Sequence, residues 1–104
     1  MIGTDLKEVI LDAIFSVTTP TSVVLFGSYA KGCPGQDSDI DICITTDDEK
    51  NFLDLMTEIR LVLFKRIKQA FDIVIFSSAD FNQNKDNPVT FEYEIQHTGV
   101  SIYG

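Results

Sequence analysis

The sequence predicts an α+β domain in which short buried strands alternate with amphipathic helices. Two patterns carry that prediction. Apolar residues recur every three to four positions in two long segments, and three short runs of β-branched and aromatic residues are bounded by turn-forming residues. The third observation is size: 104 residues, 44% of them apolar and 23% charged, suffice for one hydrophobic core and match an ordinary globular chain.

Leu6, Val9, Ile10, Ala13, Ile14 and Val17 form the first helical stripe, which Thr4 or Asp5 can cap and Pro20 must end. Ser22-Val23-Val24-Leu25-Phe26 then reads as a buried strand stopping at Gly27. The only turn-rich break, Gly32 to Ser38, reads as an internal loop, so residues 1–104 are expected to form a single domain. Beyond it, Asp39-Ile40-Asp41-Ile42-Cys43-Ile44 alternates strictly, with the isoleucines on one face and Asp39, Asp41 and Cys43 on the other.

Thr46-Asp47-Asp48-Glu49 has the form of a capping box and predicts the start of a second helix. Phe52, Leu55, Met56, Ile59, Val62, Leu63 and Ile67 line its buried side, and Lys65, Arg66 and Lys68 suit the negative end of its dipole. Phe71 to Phe76 is the third strand. Asn87-Pro88 predicts a cap and first position for a last helix bearing Phe91 and Ile95 and stopped by Gly99, with room for one more strand at Val100 to Tyr103. The resulting order is α-β-β-α-β-α.

Composition excludes several classes of function. Sixteen acidic against eight basic residues give a net charge of −8, which opposes stand-alone binding to a nucleic acid backbone. The basic cluster near Lys65 is better explained as a solvated helix end. No apolar run approaches the roughly 20 residues of a membrane span, and no basic leader opens the chain, so a cytoplasmic location is expected. Cys33 and Cys43 lie ten residues apart without a C-x-x-C pair and read as reduced thiols. His97, the one histidine, reads as structural at a helix end, and no triad surrounds it.

Chemistry concentrates in Gly27-Ser28-Tyr29-Ala30-Lys31-Gly32 and Asp37-Ser38-Asp39-Ile40-Asp41. Asp39 and Asp41, two apart on a strand, point the same way about 6–7 Å apart and repel unless a divalent cation reverses the interaction. Alone, the pair is better described as a solvated polar face on an edge strand. Asp72 shifts the balance, because an acid near the start of an apolar strand is costly unless it is exposed or shares an ion. If its strand lies beside the second, three carboxylates converge, the ligand count of a two-metal phosphoryl-transfer site. Gly27 at a strand end allows close approach to a phosphate, Ser28 can donate to it, and Lys31 lies within reach. A P-loop is excluded because Lys31 precedes Gly32 instead of following it. An EF-hand is excluded because Ile42 stands where its glycine must be.

The run Gly27-Ser28-Tyr29-Ala30-Lys31-Gly32 followed by Ser38-Asp39-Ile40-Asp41-Ile42, with Asp72 on the next strand, resembles the signature of the DNA polymerase beta-type nucleotidyltransferase superfamily. The resemblance is closest to its minimal members, antitoxin-like partners of HEPN-domain proteins. Lys31 departs from the arginine common there, losing bidentate phosphate recognition. The resemblance implies a mixed β-sheet with helices packed against it and assigns roles to residues. Asp39, Asp41 and Asp72 would hold two Mg²⁺ ions, Asp72 would align or deprotonate the acceptor hydroxyl, and Gly27, Ser28 and Lys31 would hold the triphosphate of ATP. The implied reaction moves AMP to a hydroxyl of a HEPN-type helical partner, a protein adenylyltransferase activity within a toxin–antitoxin pair. Two alternatives stay open: a non-catalytic antitoxin acting by stoichiometric contact, and a nucleotidyltransferase acting on a small molecule.

Overall fold

The computed structural model describes residues 4–27, 39–68 and 70–104, the side chains of Thr4 and Asp5 excepted. Helix α1 (Thr4–Phe15) leads into strand β1 (Ser22–Phe26), β2 (Ile40–Thr45), helix α2 (Phe52–Arg66), β3 (Phe71–Phe76), helices α3 (Ser78–Asn84) and α4 (Phe91–Thr98), and β4 (Val100–Tyr103). The strands form one mixed sheet in the order β3-β2-β1-β4. Strand β1 runs antiparallel to both β2 and β4, whereas β2 and β3 are parallel. Parallel neighbours need a long crossover, and α2 supplies it.

Alternation in β2 explains why both faces of the sheet are covered. Ile40, Ile42 and Ile44 are fully buried against α1 and α2, where Ile10, Ile14, Ile59 and Leu63 complete the main core. Truncating Ile42 to alanine there would cost about 2–5 kcal/mol. On the other face, Cys43 packs with Phe81 of α3 and Ile95 of α4, beside Val24, Phe26 and Phe76. Gly99 joins α4 to β4 where a Cβ would overlap the Val24 side chain, so the close turn back to the sheet requires glycine.

Three local expectations need correction. The capping box at Thr46 does not open α2: Asn51 is the cap, its side chain accepting from the Leu53 N–H at 2.8 Å. Thr46 is instead fully buried and tied to the α1–β1 connection, its Oγ1 donating to the Thr19 carbonyl at 3.3 Å. Asn87-Pro88 does not begin the last helix either. Those residues form a turn closed by a bond from the Thr90 N–H to the Asn87 carbonyl, and Thr90 caps α4 by accepting from Tyr93 N–H at 3.1 Å. The extra helix α3, capped by Ser77, was not anticipated. Its only buried residue is Phe81, too little for a periodic signal. Gly99 does stop α4, and the fourth strand is present.

Candidate active site

Strand register builds the site. The parallel pairing of β2 with β3 sets Asp41 directly beside Asp72, on strands about 4.8 Å apart, so the two side chains leave the same face. The Ile40 N–H donates to the Ala70 carbonyl at 2.9 Å, fastening the entrance of β2 to the entrance of β3. Asp39 precedes β2 by one residue and lies exposed at this same end of the sheet. On the opposite flank, the antiparallel pairing of β1 sets Phe26 against Asp41, which brings Gly27 to the carboxylate.

Gly27 has φ +74°, a conformation that costs side-chain-bearing residues energy, and a Cβ built on it would overlap the Asp41 carboxylate. Both facts select glycine. The motif glycine and the second motif acid thus form one packed unit whose contact depends on the missing side chain.

The electrostatics of this end are unfavourable without a ligand. Burial pushes the Asp41 carboxyl above its ordinary value, and the negative charges of Asp72 and then Asp39 push it further. The one salt bridge among the described residues, Lys50 to Glu58 at 3.6 Å, ties the residue ahead of the α2 cap to α2 and relieves none of this. Among the described residues no three acidic, histidine or cysteine side chains are gathered at metal-ligand spacing, so the three acids are neighbours coupled by charge, not a closed cage. Their chemistry still fits a hard divalent cation: carboxylate oxygens only, at one end of two adjacent strands, with like charges that a cation between them would stabilise. Ser28 and Lys31, expected to bind phosphate, lie outside the described residues, as does Cys33.

Two neighbours escaped sequence reasoning. Phe91 at the start of α4 meets Phe26 edge to face, 5.5 Å between ring centres, and so walls the β1 end of the site. Its only signal was an aromatic in a helix too short for a clear stripe. Glu92 lies near Cys43, two residues beyond Asp41. Burial first, and Glu92 second, push that thiol up to about 12, so Cys43 stays protonated as a packing residue. His97 lies in the last turn of α4 with its ring 4.1 Å from that of Tyr93.

Comparison with known proteins agrees with the fold. A mutant of the toxin–antitoxin pair MntA–HpeT matches over 94% of this chain and 72% of the other, with 17% identity and a TM-score of 0.66. A toxin–antitoxin crystal structure with AMP-PNP matches over 94% of this chain and 73% of the other, with 19% identity and a TM-score of 0.62. At such identities the likeness is one of fold. No curated protein sequence matches the chain. No helix among the described residues is long and apolar enough to cross a membrane. Residues 9–104 match the family model described as polymerase beta, nucleotidyltransferase, and the chain therefore belongs to the polymerase beta nucleotidyltransferase family.

Proposed function

We propose that this chain is a magnesium-dependent nucleotidyltransferase that moves AMP from ATP to a hydroxyl group of a partner protein, a HEPN-type helical toxin that it restrains as an antitoxin. The observation that carries the reading is the register of Asp41 beside Asp72 at the end of the sheet where Gly27 packs on Asp41. The toxin–antitoxin relatives, one of them with AMP-PNP, support a protein partner and an adenine nucleotide.

Asp39, Asp41 and Asp72 are the residues that would hold Mg²⁺. When bound there, the ions neutralise the triphosphate and the developing charge of the departing pyrophosphate. Asp72 aligns the acceptor hydroxyl and takes its proton as the oxygen attacks. Gly27 lets the backbone approach the β- and γ-phosphates, Ser28 donates its hydroxyl to them, and Lys31 adds a positive charge. The acceptor oxygen forms a new bond to the α-phosphorus, the bridge to the β-phosphate breaks opposite to it, and pyrophosphate leaves. Phe91 and Phe26 shield one side of the site from water.

Incubation with ATP labelled in the α-phosphate, magnesium and a co-encoded helical partner tests the reading. Label should pass to the partner, and the Asp39→Ala/Asp41→Ala variant should pass none. Rescue from toxicity that survives this double substitution would instead mark a stoichiometric blocker, and turnover on a small hydroxyl compound with no protein present would mark the wrong acceptor class.

A further inference from the structure

The outward side of α2 carries an apolar stripe that the fold leaves uncovered. Leu53, Leu61 and Phe64 are 70%, 58% and 75% exposed. With 3.6 residues per turn they lie with Thr57 inside roughly an 80° arc, opposite the buried Leu55, Ile59 and Leu63. The Thr57 hydroxyl donates back to the Leu53 carbonyl at 2.9 Å, so the stripe carries no unsatisfied donor. A single exposed leucine needs no explanation, but three large apolar residues in line on one helix do.

Charge on the same helix is segregated along its length. Asp54 and Glu58 lie in the first half, and Arg60, Lys65 and Arg66 in the second, with Lys68 just beyond. A parallel neighbour of the same kind would set acid against acid. An antiparallel copy does the reverse. With a two-fold axis near Ile59, Leu53 meets Phe64 of the second copy and Thr57 meets Leu61 of the second copy. Asp54 then falls beside Lys65 of the second copy on the same flank, and every contact occurs twice by symmetry. Beside Phe64, a groove of about 480 Å³ lined by Arg60, Ile67, Lys68, Ala70 and Phe71 continues the stripe and can receive Leu53 of the second copy. Arg60 is drawn toward the Phe71 ring, 5.9 Å from its centre, and so away from the symmetry axis.

We propose that α2 is a self-association surface, on which two copies of this chain pack antiparallel through Leu53, Thr57, Leu61 and Phe64 and are held in register by two Asp54–Lys65 pairs. The helix is about 22 Å long, so the pair buries less than the roughly 1,600 Å² of a standard interface and the dimer dissociates readily on dilution. Because α2 covers the face opposite the carboxylates, both sites remain open in the dimer, and the proposal stands independently of the catalytic reading.

Sedimentation equilibrium over a concentration series, with circular dichroism to verify folding, tests it. The wild-type chain should pass from the mass of one copy to that of two, and Phe64→Asp, at an exposed position, should stay folded and monomeric. Asp54→Lys and Lys65→Asp should each dimerise at least several-fold more weakly alone. Mixed together they should regain the dimer, because each then meets its opposite charge at both pairs. A wild type that stays monomeric throughout would overturn the proposal, as would a dimer that Phe64→Asp leaves intact or a mixture of the two charge variants that gains nothing over either alone.

Discussion

Asp41 and Asp48 stand at opposite ends of β2, and their surroundings treat the same chemical group in opposite ways. Asp48 lies just past the strand in a net of donors. Thr18 Oγ1 donates to it at 2.8 Å and the Lys50 N–H at 2.9 Å, while its own N–H donates to Thr46 Oγ1 at 3.3 Å. The Lys50 N–H, then Thr18, with a smaller contribution from the Lys50 charge, hold its carboxyl below the ordinary value. Asp41 sits at the other end against the bare backbone of Gly27, with burial, Asp72 and Asp39 all raising its carboxyl. One carboxylate is satisfied by its own chain and fastens the loops together. The other is set among like charges and partly buried, which disfavours its charged form and is reasonable where a cation is to be bound.

The largest effect expected from this contrast is on transfer. Asp41→Asn, Asp39→Asn or Asp72→Asn should lower label transfer by about 10²–10³-fold or more, whereas Asp48→Asn should leave it nearly unchanged. Next comes Gly27→Ala, which forces a left-handed backbone on alanine and displaces the Asp41 carboxylate. Chemical denaturation should register a loss of about 1–3 kcal/mol, with activity falling as well.

Stability against pH should separate the two ends by sign. The folded-state pKa of Asp48 is depressed, so its contribution is fully present above the unfolded carboxylate range, near pH 4, and is lost as pH falls through the lower folded value. Asp48→Ala should therefore lower Tm at neutral pH and converge on wild type in acid. The folded-state pKa of Asp41 is raised, so the folded chain holds the extra proton and stability falls as pH rises through that window. Asp41→Asn should accordingly raise Tm in magnesium-free buffer at neutral pH. The smallest effect belongs to Thr45, between the two ends, whose buried hydroxyl has no partner among the described residues. Thr45→Val should stabilise the fold by about 1 kcal/mol.

How much of this was legible in the sequence follows the range of the forces involved. Strands β1, β2 and β3 were readable to within a residue, because strict alternation and β-branched runs are local signals. The motif residues Gly27, Asp39, Asp41 and Asp72 were readable as chemistry, since apolar strands bearing acids call for an explanation. Pairing was not. That β2 lies between β1 and β3, and that Asp41 and Asp72 fall in register, depends on contacts 31 residues apart. The same limit explains the misplaced caps: Thr46 has the right sequence for capping α2, but long-range bonds to the α1–β1 connection claim its hydroxyl, and Asn51 caps instead. Propensity near Thr46 was outweighed by tertiary structure.

Whether the carboxylates bind nucleotide through magnesium is decided by a calorimetric titration of ATP into the chain with and without magnesium, on wild type and on Asp41→Asn. Wild type should bind ATP tightly only when magnesium is present, and magnesium should make no difference to the variant. Nucleotide binding to wild type that is indifferent to magnesium, or an Asp41→Asn chain that keeps the full magnesium dependence, would contradict binding through magnesium.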